Sequence, residues 1–220
     1  MRVLTWNVFH GRTVPGSGRS RFDDFAAALD GWAWDVALLQ EVPPWWPEPL
    51  ARACRAESRK VLTSRNWLLG VRRVVSDRDP DLLKANGGGS NAILVRGERV
   101  LEHRTLRLAW LPERRWAHGV RLSGGAWVVN LHATTRAPAR AMAECRRAAT
   151  LAHDWADHAP LVLGGDLNLA GRPELPGLRH VAGNHVDHVL VSGLEPAGRG
   201  AVLDRGTLSD HPPVVVDLAA

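Results

Sequence analysis

Polar side chains that can do acid–base or metal chemistry stand at the ends of apolar segments in this sequence. In "LVLGGDLNLA" (161–170), Asp166 and Asn168 follow a run of apolar residues and glycines. The other polar residues at the edge of an apolar run are Asn7, Glu41, His132, Asp187, Asp210 and His211. Because the end of one strand lies beside the start of its antiparallel neighbour, such side chains can converge on one sheet edge.

The residue types in this set favour a bound divalent cation. Four of them are carboxylates without matching cations, and gathering that charge away from water is costly unless a positive ion joins it. Oxygen ligands suit Mg²⁺ or Mn²⁺, and the two histidines can transfer protons. Taken singly, each residue also has a structural explanation, such as an Asx-turn at Asp166–Asn168. The combination of all these residues, rather than any one of them, favours a metal-binding site.

The apolar periodicity predicts the elements that would position these residues. Helices are predicted over residues 21–32, over about ten residues from Leu50, and over 136–158. Strands are predicted over 2–10, 35–41, 67–75, 91–96, 99–108, 115–122, 126–132, the apolar run from 161, 186–193 and 212–218. Strands flanked by helices, with hairpin-like stretches and no repeat or linker, predict one α/β domain over residues 1–220 with a mixed or antiparallel sheet.

Composition indicates a globular cytoplasmic protein. The sequence is 45% hydrophobic and 23% charged, and no apolar run approaches the ~18 residues of a membrane helix. The segment "MRVLTWNVFH" lacks the features of a signal peptide and has the pattern of a strand. Cys54 and Cys145 are far apart and match neither a disulfide framework nor a zinc motif, so reduced thiols are expected.

The charge and the aromatic residues suggest a polyanionic partner. The net charge is +5, and among the basic residues only Lys60 and Lys84 are lysines. Arginine binds phosphate with two parallel hydrogen bonds, which favours nucleic acid, although a general bias in residue usage explains the count equally well. Among ten tryptophans, Trp45-Trp46, Trp110 and Trp116 either stack on bases, pack on lipid or pack within the protein.

Seven segments occur in the order typical of a known superfamily. They are "TWN" (5–7), "LLQE" (38–41), "SNAILV" (90–95), "VNLH" (129–132), "LGGDLN" (163–168), "VDHVLV" (186–191) and "LSDH" (208–211). On these segments the chain resembles the endonuclease/exonuclease/phosphatase superfamily. The resemblance implies a four-layered α/β sandwich, with two mixed or antiparallel sheets packed face to face and helices outside. It also implies a metal-dependent phosphoester hydrolase.

The resemblance assigns expected roles residue by residue. Glu41, Asn7 and Asp210 would bind Mg²⁺ or Mn²⁺, with Asp210 alternatively supporting His211. Asp166 and Asn168 would position or activate water, and Asp187 would orient His211. His132 would contact the phosphate or assist the leaving group, and the general base stays open between His211 and Asp166. Asn91 is a further expected phosphate contact. Apart from the resemblance, Arg114, Arg115 and Arg136 lie near predicted strand ends and are expected to bind phosphates.

The sequence departs from the family pattern in two places. Phe9 stands where some members have an acid, and the chain has no tyrosine, so His132 takes the position of the tyrosine that other members use. His10 is an additional imidazole close to Asn7, either solvated or part of the site. The glycine-rich stretch 86–91 is expected to form a mobile loop over a phosphate.

The most favoured function is a monomeric nuclease acting on DNA or RNA. A small-molecule or lipid phosphodiesterase or phosphatase of the same superfamily is the first alternative. A catalytically inactive nucleic-acid-binding module is the second, although every expected catalytic side chain is present. "GGD" with "GNH" (183–185) also resembles the calcineurin-like phosphoesterases, but the other motifs of that class are missing.

Overall fold

The structure, a computed structural model, describes residues 1–63, 66–87, 89–111 and 113–219 and contains two β-sheets. The first sheet has the strand order β11-β13-β1-β2-β4-β3, and β12 also pairs with β13. Its strands are β1 (Arg2–Asn7), β2 (Val36–Val42), β3 (Glu57–Leu62), β4 (Ser90–Val95), β11 (Glu195–Pro196), β12 (Ala201–Val202) and β13 (Val214–Ala219). Only the β1–β2 pair is parallel; the other pairs are antiparallel.

The second sheet has the order β5-β6-β7-β8-β10-β9. Its strands are β5 (Val100–Ala109), β6 (Arg115–Leu122), β7 (Trp127–His132), β8 (Leu161–Asp166), β9 (Arg179–Asn184) and β10 (Asp187–Ser192). The β7–β8 pair is parallel and the remaining pairs are antiparallel. Both sheets are therefore mixed, as the sequence predicts.

Helices cover the outer faces of the two sheets. They are α1 (Phe22–Gly31), α2 (Pro47–Ala53), α3 (Leu69–Arg78), α4 (Pro80–Leu83) and α5 (Pro138–Ala156), with short 3₁₀ segments at Phe9–Gly11 and Lys84–Gly87. One apolar cluster packs α1 and α2 on the first sheet, and another packs α5 on the second. A third cluster, with Val36 and Ile93 from one sheet and Val128 and Val189 from the other, fills the space between the sheets. The layers are thus helix, sheet, sheet and helix, which confirms the predicted four-layered sandwich.

A buried polar network joins the two sheets next to this apolar layer. Gln40 Nε2 in the first sheet donates to Asn130 Oδ1 in the second, at 2.8 Å. Asn130 Nδ2 in turn donates to the backbone carbonyls of Leu39 and Ala92. Because buried amides are costly when unpaired, this network favours one register between the sheets.

Several element predictions were wrong at exposed segments. Residues 67–75, predicted as a strand, belong largely to helix α3, which has no buried residues. The helix expected from Leu50 is α2, which begins at Pro47 and ends at Ala53, and the next segment is β3. Strands β3 and β9 are half-exposed and lack the apolar alternation that signals a strand, so the sequence pattern missed them.

Two further expectations concern the cysteines and the glycine-rich stretch. Cys54 and Cys145 are buried free thiols, and burial raises the pKa of both. Within the stretch 86–91, Gly88 lies outside the described residues, and Ser90 and Asn91 begin β4. Among the described residues, no helix is long and apolar enough to cross a membrane.

Candidate active site

The predicted site residues meet in a cavity of about 380 Å³ at one end of the two sheets. We call this space the central cavity. It is lined by Asn7, Phe9, Glu41, His132, Thr135, Arg136, Asp166, Asn168, Asp210 and His211. Asp187 lies directly behind it through its contact with His211. The first sheet contributes the ends of β1 and β2, and the second contributes a row across β7, β8 and β10, so the cavity opens between the layers.

Strand pairing sets the row of predicted catalytic residues in the second sheet. His132 on β7 pairs with Asp166 on β8, and Asp166 pairs with Asp187 on β10. Gly165 precedes Asp166 with φ +134°, and a Cβ at that position would lie 2.0 Å from the Leu131 carbonyl oxygen. Only glycine fits this close approach, which turns the end of β8 into the cavity.

A β-bulge directs Glu41 into the cavity. The register between β2 and β4 shifts between Leu39 and Val42, and Glu41 has φ +53°. In a regular strand, alternation would place Glu41 on the outer face together with Leu39, under α1. The bulge with its left-handed residue redirects the carboxylate toward the histidines, as bulges near active sites often do.

Asp166 is held by two asparagines. Asn7 Nδ2 donates to Asp166 Oδ2 at 2.9 Å, and the Asn168 backbone N–H donates to Asp166 Oδ1 at 3.1 Å. Asn168 has φ +50°, and its side-chain Nδ2 donates to the Ala133 carbonyl at 3.0 Å. These bonds fix the carboxylate orientation and anchor the turn after β8 to the end of β7.

His211 is oriented by a buried carboxylate. Its Nδ1 lies 2.7 Å from Asp187 Oδ2, and the other oxygen, Asp187 Oδ1, is buried without a hydrogen-bond partner. The loop is fixed to β1: Ser209 Oγ donates to the Asn7 carbonyl at 2.6 Å, and Trp6 Nε1 donates to the His211 carbonyl at 2.8 Å. His211 Nε2 is left for the central cavity, with exposed Asp210 at 3.9 Å.

The carboxylates and imidazoles of the cavity have perturbed ionisation. Burial opposes ionisation of Glu41, but the neighbouring His10, His132 and His211 outweigh it and hold the pKa of the carboxyl well below its usual range. Burial, together with the charge of Asp187, raises the pKa of Asp166 to about 7. The cavity therefore contains one carboxylate that stays ionised and one that titrates near neutrality, a separation typical of acid–base sites.

The pKa values of the two cavity histidines, His132 and His211, are shifted in opposite directions. Burial, reinforced by Arg115, lowers the pKa of His132 to about 3, so this imidazole is neutral at pH 7. Burial disfavours protonation of His211 as well, but the hydrogen bond and charge of Asp187 raise its pKa to about 9. His132 Nε2 lies 3.4 Å from Asp166 Oδ2 and 3.9 Å from Glu41 Oε1.

The donor set fits a hard divalent cation. Glu41, Asp166, Asp187 and Asp210 supply carboxylate oxygens around one space, and the orphaned Asp187 Oδ1 lacks a positive partner. Ligand atoms of Asp166, Asp187 and His211 lie within 4.8 Å of one another and form a possible metal cluster. Glu41, whose carboxylate is ionised in the same cavity, belongs to the predicted ligand set with Asn7 and Asp210. Asn7 Oδ1, which accepts from the Phe9 N–H, keeps a second lone pair.

A narrower space adjoins the central cavity beyond Glu41 and His132. This side pocket has a volume of about 170 Å³ and is lined in part by His10, Asn91, Arg114 and Arg115. Asn91 is buried, its Nδ2 donates to the Trp116 carbonyl at 3.4 Å, and its Oδ1 has no partner. His10 Nε2 lies 3.1 Å from Glu41 Oε2, so this imidazole, left open by the sequence, is next to the site.

The expected phosphate contacts are distributed over both spaces. Arg136 is exposed at the edge of the central cavity with φ +58°, and exposed Arg114 lines the side pocket. Buried Arg115, also a predicted phosphate contact, pairs with Glu113 at 2.8 Å. Thr135, which lines both spaces, was missed because a threonine in a loop has no motif signal.

Most of the tryptophans pack within the protein. Trp46 is buried against Phe25 and Phe22, and Trp45 packs beside it with its Nε1 donating to Asp77. The hypothesis that Trp45-Trp46 stacks on bases therefore fails for Trp46, which is only 5% exposed. Trp110 is 58% exposed, and Arg107 stacks on its ring at 3.5 Å.

The fold and the site together define the class of protein. The sequence profile of the endonuclease/exonuclease/phosphatase family matches residues 4–211. The chain therefore belongs to this family. The superfamily of the same name consists of metal-dependent phosphoesterases. No significant match was found among curated proteins.

Solved structures share the fold at low sequence identity. An endonuclease/exonuclease/phosphatase from Beutenbergia cavernae is 20% identical with a TM-score of 0.74, and the match covers 99% of this chain and 71% of the B. cavernae chain. A mannosyl-6-phosphatase from Bacteroides thetaiotaomicron is 17% identical with a TM-score of 0.72, and the match covers 100% of both chains. TDP2 from Caenorhabditis elegans is 17% identical with a TM-score of 0.67, and the match covers 100% of this chain and 74% of the TDP2 chain.

Proposed function

We propose that this protein is a divalent-metal-dependent phosphodiester hydrolase that acts on DNA or RNA as a monomeric single domain in the cytoplasm. The observation that supports it best is the convergence of Glu41, Asp166, Asn168 and the His211–Asp187 pair on the central cavity. These groups can activate water, orient it and stabilise a phosphoryl group, which are the requirements of phosphoester hydrolysis.

The residues of the central cavity suggest a division of roles. Asp166, held between Asn7 and Asn168, takes a proton from the attacking water, and the water oxygen forms a bond to phosphorus. The phosphorus–oxygen bond to the leaving group breaks, and the departing oxygen takes up a proton from solvent water, while Asp166 returns its proton to solvent. We assign the base to Asp166 because His211 is protonated and its Nδ1 is bound to Asp187.

Other side chains bind the phosphate. His211 donates its Nε2–H to a phosphoryl oxygen, while Asp187 keeps the ring oriented. Neutral His132 contacts the phosphate or the leaving-group oxygen. A Mg²⁺ or Mn²⁺ ion held by Glu41, Asp210 and Asn7 would neutralise the phosphate and stabilise the departing oxygen.

Charge supports nucleic acid as the substrate. Arg136 lies exposed at the edge of the central cavity and has no ion pair with any described residue. Together with the net charge of +5, this favours a polyanion. The small side pocket with Asn91 and buried Arg115 favours the alternative, a small-molecule phosphodiester or phosphomonoester, because it fits only a compact group.

A substrate panel tests this proposal. Wild-type protein is incubated with plasmid DNA, an abasic-site duplex, RNA, bis-(p-nitrophenyl) phosphate and p-nitrophenyl phosphate, each with Mg²⁺, Mn²⁺ or EDTA. Asp166→Asn provides the blank for contaminating nucleases. We expect metal-dependent cleavage of DNA or RNA that the blank lacks. Turnover of small esters alone supports the alternative, and binding without any turnover supports an inactive module.

A further inference from the structure

A basic cleft outside the central cavity lies along the edge strand β9 of the second sheet. It has a volume of about 880 Å³. Its charged and imidazole-bearing residues are Arg172, Arg179, His180, His185, His188 and Arg199, and no carboxylate lines it. We call it the β9 cleft. A space of this size without acidic groups is suited to an anion.

The arginines of the β9 cleft are unequally neutralised. Arg179 pairs with Glu195 at 2.6 Å and also donates to the Leu194 carbonyl. Arg172 and Arg199 are exposed, and neither makes an ion pair within the described part of the chain. Two guanidinium groups are therefore available to a ligand, and guanidinium matches the geometry of phosphate oxygens.

Two histidines form an ordered wall of the β9 cleft. His188 is buried, with Nε2 2.8 Å from the Leu169 carbonyl and Nδ1 3.0 Å from His180 Nε2. Because a carbonyl only accepts, His188 Nε2 is protonated, and in the neutral pair His180 Nε2 donates to His188 Nδ1. A Cβ on Gly183 would lie 2.4 Å from His188 Nδ1, so glycine is required to leave room for this pair.

The β9 cleft adjoins the central cavity through the segment after β8. Asn168 lines the central cavity, and Ala170 lines the β9 cleft. Two residues of chain span at most about 7 Å, so these two lining residues lie within that distance of each other. Leu169, between them, is the residue whose carbonyl receives the His188 bond. This short separation is what makes the β9 cleft a candidate second contact for a polyanion bound at the central cavity.

We propose that the β9 cleft binds a backbone phosphate of the nucleic-acid substrate, a second phosphate beside the one to be cleaved at the central cavity. Arg172 and Arg199 provide the contacts, and the His180–His188 pair keeps the wall of the cleft rigid. The inference rests on the proposed nuclease function. The inference adds a second phosphate site that only longer substrates reach. Short diesters therefore do not contact the β9 cleft.

The experiment measures oligonucleotide binding separately from cleavage. Arg172→Gln/Arg199→Gln is built in an Asp166→Asn background, and binding of a fluorescent 12-nucleotide single strand is followed by anisotropy over a range of salt concentrations. The matched control is Arg52→Gln/Arg78→Gln, which removes two exposed arginines, one from α2 and one from α3, neither of which lines the β9 cleft. Hydrolysis of bis-(p-nitrophenyl) phosphate is measured in the Asp166 background.

We expect the cleft variant to bind the strand at least about tenfold more weakly than the control. The slope of log affinity against log salt should fall by about 0.7 per lost contact. Hydrolysis of bis-(p-nitrophenyl) phosphate should equal wild type, because that diester does not reach the β9 cleft. Equal binding by the cleft and control variants, or no binding of the strand by any form, overturns the inference.

The two proposals fail in different ways. If the Asp166 form hydrolyses no phosphoester but the cleft variant still loses affinity selectively, the β9 cleft inference stands and the proposed function fails. If the small diester is hydrolysed but the strand is not bound, the chemistry stands and the inference fails.

Discussion

At the scale of single residues, the site depends on side chains that each orient a neighbouring side chain through one hydrogen bond. Asp187 fixes His211 Nδ1, and Asn7 fixes Asp166 Oδ2. Asp187 acts through His211, so its effect should disappear when His211 is absent. This dependence separates a positioning role from a general effect on folding.

The Asp187–His211 pair predicts strongly non-additive kinetics. Asp187→Asn and His211→Asn should each lower kcat on the preferred phosphodiester by about 10²-fold or more, because the imidazole loses its orientation or is removed. The double variant should lose little beyond the worse single variant. Steady-state kinetics over pH 5–9 measures all three. A double variant whose loss equals the product of the single losses contradicts the assigned role.

Glu41 is predicted to determine metal affinity. Glu41→Gln keeps the shape of the side chain but removes the charge, so Mn²⁺ affinity by calorimetry should fall by at least tenfold. The metal-dependent rise in thermal stability should shrink with it. Glu98→Gln is the control, since Glu98 is a half-buried residue that does not line the central cavity and accepts from the Gly124 N–H. Unchanged Mn²⁺ binding by Glu41→Gln counts against Glu41 as a ligand.

The sequence predicted which residues assemble but not the directions of their side chains. Motif order identified Glu41, His132 and Asp166, all of which line the central cavity. Strand alternation alone places Glu41 on the face opposite to the cavity, and only the bulge with φ +53° reverses this. The position of His10 against Glu41 likewise depends on a left-handed backbone that no residue type demands.

At the scale of elements, the end of β8 is the segment with the tightest steric requirement. Gly165→Ala would place a methyl group 2.0 Å from the Leu131 carbonyl oxygen at φ +134°. We expect a loss of at least about 3 kcal/mol in the free energy of unfolding, which lowers Tm by roughly 6–12 °C.

A matched glycine provides the control for this substitution. Gly31, at the end of α1, has no atom within 4 Å of an added Cβ, so Gly31→Ala should be neutral or slightly stabilising. Thermal unfolding of both variants measures the difference. A Gly165→Ala protein with wild-type Tm contradicts the close approach between β7 and β8.

The hairpin of β5 and β6 predicts a loss of stability in acid. His118 is fully buried with Nδ1 3.1 Å from His103 Nε2, and burial, aided by the charge of His103, lowers its pKa well below 6.5. The unfolded chain therefore binds more protons, so stability is complete above about 6.5 and is lost as pH falls below that value.

Denaturant unfolding at a series of pH values between 4 and 8 measures this dependence. His103→Gln keeps an acceptor for His118 but removes one titrating group, so its stability should fall less steeply with acid. The buried His188 and its neighbour His180 have lowered pKa values as well, and they leave part of the slope in place. A wild-type free energy of unfolding that stays constant over this pH range would contradict the prediction that buried, neutral histidines destabilise the fold in acid.

Elements with apolar periodicity were predictable, and exposed ones were not. The strands around the inter-sheet layer and the long helix α5 follow directly from sequence spacing. Strand β3, "ESRKVL", owes its pairing to β4 rather than to its own pattern, and α3 has no buried face to reveal its period.

At the scale of the whole molecule, the packing of two sheets creates one end at which the polar residues meet. The apolar inter-sheet layer and the Gln40–Asn130 network fix the relative position of the sheets. The central cavity takes residues from both sheets, so the proposed catalysis would depend on this register. Fold and family follow from the order of motifs over almost the whole chain. The β9 cleft does not, because its arginines belong to no motif and meet only in three dimensions.

The central claim is that Asp166 drives metal-dependent hydrolysis at this cavity, and the most direct test is the kcat/KM for bis-(p-nitrophenyl) phosphate with Mn²⁺. Asp166→Asn should lower it by about 10²–10⁴-fold, and EDTA should abolish it. Asp154→Asn, an exposed change on α5, should match wild type. Equal rates for wild type and Asp166→Asn, or rates indifferent to EDTA, would contradict the account.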